Sequence, residues 1–299
     1  MSKMGELYKQ LEEQFVKWAE NRTDIKAAIV VGSRARTDHS ADEWADLDII
    51  MVTAEPELYS STYDWIKNVG DPLLTFIEET PGGFLERRVL FEGMLDVDFA
   101  ILPEEEFRTK VLQFQQGKIP PQLAAQILDL FSRGIRVLLD KDRMIARLQT
   151  LLIKIEPSSL PPPTQHDFLE VVNDFLYHAV FTAKHLQRGE LWWTVTCLNC
   201  HMQSLLRQMI EWHAKVHYGW SHETWFRGRF LEEWAHPAVI EKLQRSIAHY
   251  DVEDIKQVLL SAVDMFQWMA KEVAEKLNYS HPADVNGHVI EWIRNTLQQ

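Results

Sequence analysis

Carboxylates at alternate positions of two apolar segments are the residues best suited to metal chemistry in this sequence. Asp46 and Asp48 open the segment 46–52, and Asp96 and Asp98 lie in the segment 95–102. Side chains two residues apart in a β-strand point to the same face. Each pair therefore projects together, opposite the apolar residues of its own segment. If the two strands are neighbours, three or four carboxylates meet at one patch.

Such a patch is electrostatically unfavourable by itself, because like charges raise one another's pKa. A divalent cation relieves the repulsion, and Mg²⁺ prefers carboxylate oxygens combined with substrate phosphates. Metal ions held this way clamp the attacking and leaving oxygens of a phosphoryl or nucleotidyl displacement. One Asp-x-Asp pair alone is more often a solvated strand end, but two pairs at the starts of apolar strands favour the functional interpretation.

A Gly-Ser turn precedes the first pair. Gly32 and Ser33 directly follow the apolar run 25–31, and such a turn offers backbone N–H groups and a hydroxyl to a phosphate. Arg34 and Arg36 come next and could meet a triphosphate, although two arginines in a loop are also consistent with ordinary surface charge.

The elements that must position these residues follow from the hydrophobic periodicity. Residues 4–20, 57–68, 103–116 and 120–133 are predicted helices, and strands are predicted at 25–31, 47–52, 72–79, 84–93, 95–102 and 135–139. Gly93 separates two strands closely enough for a hairpin, and the sequence after residue 165 is helical throughout. Three consecutive prolines at 161–163 exclude a continuous helix or strand there. We therefore predict an α+β protein, with a mixed-sheet domain at 1–155, a Pro-rich linker at 156–164 and a helical bundle at 165–299.

The composition and net charge of the chain argue against several classes of protein. The chain has 299 residues, 46% of them hydrophobic and 25% charged, with a net charge of −13. A general nucleic-acid binder carries a basic face, so we expect no nucleic-acid partner. No apolar segment is long enough for a membrane helix, and the N-terminal residues lack a signal-peptide core. With two cysteines only, these features favour a cytoplasmic protein; oligomeric state is left open.

The order of strand, Gly-Ser turn, Asp-x-Asp strand and later strand Asp resembles the nucleotidyltransferase superfamily related to DNA polymerase β. Three later stretches resemble more narrowly the helical domain of the aminoglycoside 6-adenylyltransferases. They include FLYHAVFTAKHLQRGELWW and VDMFQWMAKEVAEKLNY, and RVLLDKDRMI is similar to that family's junction segment. The resemblance covers roughly residues 15–295.

The resemblance implies a reaction and a set of roles. Members of that family use ATP and Mg²⁺ to place AMP on a hydroxyl of streptomycin, and they release pyrophosphate. By position in the motif, Gly32 and Ser33 match the phosphate turn, and Asp46 and Asp48 match the metal-binding pair. Asp98 matches the third carboxylate, as metal ligand or general base, and is favoured over Asp96.

An aminoglycoside is a polycation with many hydroxyls, so its site should contain carboxylates and aromatic rings. Glu190 and Trp193 are the preferred candidates in the helical half, ahead of Trp192, Glu211 and Trp212. Aromatic residues at helical spacing are more often core than ligand platform. We expect the active site in the cleft between the two domains.

Several polar residues allow less specific interpretations. Lys141 is either a phosphate contact or part of a salt bridge at a helix start. Cys197 and Cys200 lack a second ligand pair for zinc and are interpreted as core. His213 and His217 are interpreted as ordinary histidines, because the glutamate of the metalloprotease motif is missing from HAKVH.

Two alternative functions stay open. One is a nucleotidyltransferase of the same fold that acts on another small molecule, since a fold does not fix a substrate. The other is a non-catalytic nucleotide-binding regulator or antitoxin-like relative.

Overall fold

The computed structural model describes residues 3–36, 38–80, 84–152, 161–280 and 283–298. Contacts between residues divide the chain into two units, Met1–Ser158 and Ser159–Gln299. Each unit has its own hydrophobic core and is described by itself. The α+β class is confirmed. Of the predicted linker, residues 156–160 lie outside the described residues, and the roles assigned to the two domains stay predictions.

The first unit is built on a six-stranded mixed sheet in the order β3-β4-β5-β2-β1-β6. The strands are β1 (Ile25–Val31), β2 (Leu47–Thr53), β3 (Pro72–Glu79), β4 (Leu85–Phe91), β5 (Leu95–Pro103) and β6 (Arg136–Asp140). Strands β2 and β5 are parallel, whereas the other neighbouring strands pair antiparallel. The predicted hairpin at Gly93 is confirmed between β4 and β5, where glycine adopts a φ of +84°.

Five helices accompany the described part of this sheet. They are α1 (Lys3–Glu20), α2 (Pro56–Ser61), α3 (Glu104–Gln115), α4 (Pro121–Ser132) and α5 (Met144–Leu152). The predicted helix over 57–68 is shorter, since Thr62 is extended and a 3₁₀ turn, Asp64–Asn68, follows. Apolar residues of α1 pack with one face of β1, β2 and β5, and those of α3 and α5 pack with the other face of β1.

All regular secondary structure in the described residues of the second unit is helical. Its helices are α6 (Gln165–Gln187), α7 (Leu191–Thr196), α8 (Gln203–Tyr218), α9 (Leu231–Trp234), α10 (Pro237–Leu243), α11 (Val252–Leu277) and α12 (Ala283–Leu297). A π-helical segment, Cys197–Met202, joins α7 to α8. The rings of Phe175 and Phe266 stack at 3.8 Å in the core between α6 and α11.

Side-chain caps fix where the two long helices of this unit begin. The hydroxyl of Thr164 accepts from the Asp167 N–H, and the Asp167 carboxylate accepts from the Thr164 N–H, which forms a capping box for α6. Asp251 accepts from the Asp254 N–H at 2.9 Å and so caps the start of α11. Within the described residues, no helix combines the length and the apolarity needed to cross a membrane.

Candidate active site

Strand register brings the predicted carboxylates to one point. The parallel pairing of β2 with β5 places Asp48 opposite Asp98, and Asp46 directly precedes β2. One oxygen from each of the three carboxylates lies within 4.8 Å of the other two. Asp46, Asp48 and Asp98 are called the carboxylate cluster below. The alternation that directs these side chains to one face also buries Leu47 and Ile49 on the other.

Asp96 and Asp98 share a face of β5 but differ in environment. Asp98 is buried, with 8% of its surface exposed, whereas Asp96 is exposed. The Tyr8 hydroxyl of α1 donates to Asp96 Oδ1 at 2.7 Å and accepts from the Asp96 N–H at 3.2 Å. Asp96 is therefore engaged with α1, and Asp98 is the residue that completes the cluster. Tyr8 was not singled out from the sequence, because its partner is 88 residues away.

The surroundings of Asp98 disfavour its ionised form. Burial raises its pKa; Arg88 lowers it, but Glu86, Asp46 and Asp96 raise it further, and the outcome is about 6. The Arg88 guanidinium lies 3.1 Å from Asp98 Oδ2. One cation thus fails to offset burial and three neighbouring carboxylates, which is the situation that a divalent cation would relieve.

Arg87 and Arg88 are adjacent on β4 and point to opposite faces. Arg88 is the counter-ion of Asp98, but it also contacts Glu78 at 2.6 Å and Glu86 at 3.1 Å. Its charge is therefore shared among three carboxylates. Arg87 is not solvated, because it is buried and donates to the Ser60 carbonyl.

The Gly-Ser turn lies directly against the cluster. Gly32 has a φ of +68°, and a Cβ at this position would lie 2.2 Å from Asp48 Oδ2. Only glycine lets the backbone approach the carboxylate this closely. The Ser33 hydroxyl is buried, and no partner for it exists among the described residues. A buried hydroxyl without a partner is unusual in a folded protein and is the kind of group that a ligand oxygen satisfies.

The two arginines after the turn differ in what holds them. Arg34 donates to the backbone carbonyls of Ala45 and Asp46, and its guanidinium lies 3.6 Å from the centre of the Tyr8 ring. It therefore positions the backbone that carries the first carboxylate. Arg36 Nε lies 3.4 Å from the His39 carbonyl, a long hydrogen bond. Phosphate contacts by Arg34 and Arg36 stay predictions.

Lys141 lies at the other end of β1 from the Gly-Ser turn. Its backbone N–H donates to the Lys26 carbonyl, and its ammonium donates to the carbonyls of Ala19 and Arg22 at the end of α1. A strand of seven residues spans about 20 Å. The structure therefore does not bring Lys141 to the cluster, and the ammonium binds helix carbonyls rather than a salt-bridge partner.

The donor set of the cluster fits magnesium. All three side chains offer carboxylate oxygens, which suit Mg²⁺, and neither a thiol nor an imidazole belongs to this group of three. The neighbouring turn, whose Gly32 lies against Asp48, also carries the buried Ser33 hydroxyl, a neutral oxygen. The residues present therefore fit the ion that the sequence pattern predicts.

In the second unit, Glu190 and Trp193 belong to one surface patch. Glu190 pairs with His185 Nδ1 and accepts from Arg188 Nε at 2.6 Å. The Phe181 ring lies 4.0 Å from the His185 ring and 6.0 Å from the Trp193 ring, centre to centre. Trp193 is 53% exposed. The patch thus combines a carboxylate with an accessible aromatic surface.

The lower-ranked acceptor candidates differ in their environments. Trp212 packs against the helical core, 6.4 Å from the Phe168 ring, and Glu211 pairs with Arg207. Trp192 is 74% exposed. These environments assign Trp212 to packing and leave Trp192 on the surface.

One interpretation of the helical half is wrong for Cys200, which is exposed, whereas Cys197 is half-buried beside the core. The interpretation of His213 and His217 as ordinary histidines stays a prediction. Both contact Glu272 of α11. The sequence could not show this contact, since the glutamate is more than 50 residues away.

A family model described as streptomycin adenylyltransferase matches residues 6–296. The chain belongs to this family. The resemblance stated from the sequence is thereby confirmed, and the family places the chain among the nucleotidyltransferase enzymes.

The individual proteins that resemble this streptomycin adenylyltransferase family member share little sequence identity with it. An aminoglycoside 6-adenylyltransferase of Staphylococcus aureus is 20% identical over 287 residues, covering 94% of this chain and 95% of the relative. A crystal structure of an aminoglycoside 6-adenyltransferase from Bacillus subtilis is 17% identical, with a TM-score of 0.43 and coverage of 95% and 96%. A nucleotidyltransferase-like protein from Exiguobacterium sibiricum is 12% identical, with a TM-score of 0.34 and coverage of 88% and 75%. Membership rests on the family match and not on these superpositions.

Proposed function

We propose that this protein transfers AMP from ATP to a hydroxyl of an aminoglycoside of the streptomycin type, at its 6-position, and releases pyrophosphate. The observation that carries the proposal is the carboxylate cluster, whose oxygens lie within 4.8 Å of one another in a member of this family. The distant Staphylococcus aureus relative, named an aminoglycoside 6-adenylyltransferase, supports the choice of acceptor class.

Asp46, Asp48 and Asp98 would hold Mg²⁺. The ion, when bound, offsets the negative charge of the triphosphate and of the departing pyrophosphate. The acceptor hydroxyl oxygen forms a bond to the α-phosphorus while the bond from that phosphorus to the bridging oxygen breaks. Asp98 is either a ligand or the base that takes the hydroxyl proton; its place on β5 beside the β2 pair suits both roles.

The Gly-Ser turn supplies the phosphate contacts in this proposal. Gly32 lets the backbone lie against Asp48, so an N–H group of the turn and the carboxylates can address the same nucleotide. The Ser33 hydroxyl gains a partner when a phosphate oxygen arrives, which removes an unsatisfied buried group. Both effects serve positioning, which supplies much of the rate enhancement in phosphate transfer.

Acceptor binding is assigned to Glu190 and Trp193. The carboxylate suits the cationic groups of an aminoglycoside, and the exposed indole suits the face of a sugar ring. The net charge of −13 also favours approach of a polycation.

The test is mass spectrometry of acceptors after incubation with the protein, ATP and Mg²⁺. We expect streptomycin to gain one AMP group, pyrophosphate to appear in equal amount, and fragmentation to locate the group at the 6-position. Parallel reactions use GTP, other aminoglycosides, no acceptor, and the Asp98→Asn protein. An adduct on a different class of acceptor would support the alternative nucleotidyltransferase, and nucleotide binding with no product would support a non-catalytic regulator.

A further inference from the structure

A second group of ligand-type side chains lies in the helical unit, on α8 and α11. His213 and His217 are one helical turn apart on α8, and Glu272 faces them from α11. The Nε2 atoms of the two imidazoles lie 2.8 and 2.9 Å from the same oxygen, Glu272 Oε2. These three residues are called the His–Glu cluster below.

The geometry of the His–Glu cluster is close to that of a metal site. Its three ligand atoms lie within 4.8 Å of one another. Zinc binds imidazole nitrogen and carboxylate oxygen at about 2.0–2.2 Å, so tetrahedral ligand atoms are about 3.4 Å apart. The two nitrogens therefore need to move away from the oxygen by about half an ångström to admit the ion. Histidines at positions i and i+4 on one helix face are a common zinc-binding pair.

A supporting contact fixes the carboxylate. The Trp268 indole N–H donates to Glu272 Oε1 at 2.6 Å, which leaves Oε2 directed at the two imidazoles. Metal-binding carboxylates in proteins are themselves hydrogen-bonded in this way. His213 is fully buried, so one ligand is held rigidly by packing. Its Nδ1 atom has no hydrogen-bond partner among the described residues. The proton that Nε2 donates to Glu272 can therefore move to Nδ1 when an ion takes its place at Nε2.

A third imidazole borders the His–Glu cluster but serves a helix start. The His236 ring centre lies 5.2 Å from that of His217 and 5.7 Å from that of His213. Its Nδ1 atom accepts from the Ala238 N–H at the beginning of α10, so the proton of the neutral ring is on Nε2. The fourth position of a tetrahedral ion would therefore be left to water.

A competing group, formed by two residues of α6 and His201 of the π-helical segment and called the α6 group below, is less suited to a metal. Asp174, His178 and His201 also lie within 4.8 Å of one another. However, His178 Nδ1 lies 3.0 Å from the Asp174 backbone carbonyl, an acceptor that holds the proton on this nitrogen. The nitrogen that faces the carboxylate is thus a donor, and His201 is on the surface.

We propose that His213, His217 and Glu272 bind one transition-metal ion of the zinc class with a water as fourth ligand, and that the ion cross-links α8 to α11. This site is separate from the carboxylate cluster and does not depend on the proposed transfer reaction. Its nitrogen ligands select zinc-class ions, whereas the all-oxygen carboxylate cluster suits magnesium.

The experiment titrates the full-length chain with Zn²⁺ and with Co²⁺ after treatment with a chelator. We expect one equivalent of Zn²⁺ by calorimetry, a rise in Tm, and the intense visible absorption of four-coordinate Co²⁺. His217→Ala should lower the affinity by more than about 100-fold, because a direct ligand matters more than an outer contact. Trp268→Phe should lower it by about 10–100-fold, as expected for an outer contact. Trp268→Phe also serves if His217→Ala fails to fold by circular dichroism.

Two matched variants separate this site from its rivals. His201→Ala removes a ligand of the α6 group, and Asp48→Asn removes one from the carboxylate cluster; both should bind Zn²⁺ as the unaltered chain does. The proposal is overturned if His201→Ala or Asp48→Asn no longer binds one equivalent of Zn²⁺ while His217→Ala still does. It is equally overturned if no variant or parent protein takes up Zn²⁺, in which case the three residues form only a hydrogen-bonded network.

Discussion

Two clusters place a carboxylate in a partly buried position, the carboxylate cluster of the first unit and the His–Glu cluster of the second. The pKa of that carboxylate shifts in opposite directions in the two clusters. Burial raises the pKa of Asp98 to about 6, because Arg88 does not outweigh burial and the nearby carboxylates. Burial also acts to raise the pKa of Glu272, but hydrogen bonds from His213, His217 and Trp268 outweigh it and bring the pKa below its usual value. The first charge is costly in the protein alone, whereas the second is already satisfied. Catalytic groups are commonly of the first kind.

The largest expected effect tests whether the cluster is catalytic. Asp98→Asn should lower kcat for AMP transfer by about 10³-fold or more, because it removes a metal ligand or the base while keeping the side-chain shape. Asp96→Asn is the matched control, two residues away on the same face, and should lower kcat by less than about tenfold, since Asp96 contacts Tyr8 instead. Steady-state kinetics of pyrophosphate release measures both. Equal losses of kcat in the two variants would contradict the assignment of the catalytic role to Asp98 rather than Asp96.

The next effect tests whether the close approach of the turn matters. Gly32→Ala puts a Cβ 2.2 Å from Asp48 Oδ2, so the carboxylate must move. A displacement of this size should lower kcat/KM by about 10²-fold. Gly117→Ala is the control for backbone strain, because Gly117 has a φ of +63° and nothing within 4 Å of the added Cβ. Both should lose stability in thermal unfolding, but only Gly32→Ala should lose activity. Comparable activity in the two variants would contradict a role for the approach.

The contrast in charge itself predicts opposite effects on stability in chelator-treated protein at pH 8. Asp98→Asn should unfold at or above the Tm of the parent, because at pH 8, above its raised pKa of about 6, Asp98 is ionised in a site that disfavours the charge, and the amide removes this cost. Glu272→Gln should lower the free energy of unfolding by about 1–3 kcal/mol, since it weakens the acceptor of three hydrogen bonds. Thermal melts and urea titrations measure both. A loss of stability in Asp98→Asn as large as in Glu272→Gln would remove the distinction between the clusters.

Strand periodicity made the first region predictable from sequence. Alternation fixes which side chains share a face, so the pairing of Asp46 with Asp48 and the burial of Leu47 follow from local pattern. That β2 and β5 are neighbours was a conditional assumption, but parallel pairing with Asp48 opposite Asp98 supports it. Contacts that depend on packing between elements, such as Tyr8 with Asp96 or Arg87 with Ser60, leave no trace in local pattern.

The second region was predictable as helices but not as a site. The spacing of His213 and His217 is visible in the sequence, yet their partner Glu272 lies on another helix. Which residues of α8 and α11 meet depends on how the two helices pack, and helical periodicity indicates only which face is apolar. Lys141 shows that local sequence is limited in the same way in the first unit. Its segment resembles the family's junction segment, but the resemblance does not reveal that Lys141 lies at the start of β1, away from the Gly-Ser turn.

The smallest effects should distinguish the two ends of β1. Ser33→Ala removes a buried hydroxyl that has no partner among the described residues, so stability should be unchanged or slightly higher. If that hydroxyl binds a nucleotide phosphate, the KM for ATP should rise by about five- to tenfold, the worth of one hydrogen bond.

Lys141→Gln, at the other end of β1, should lower stability and leave ATP binding unchanged. It removes a cation from the carbonyls at the end of α1, so the free energy of unfolding should fall by about 0.5 kcal/mol while the KM for ATP stays unchanged. ATP titrations in the transfer assay, with thermal melts of both variants, measure the two signatures. A raised KM in Lys141→Gln would mean that the junction segment reaches the nucleotide, and the distinction between the two ends of the strand would then fail.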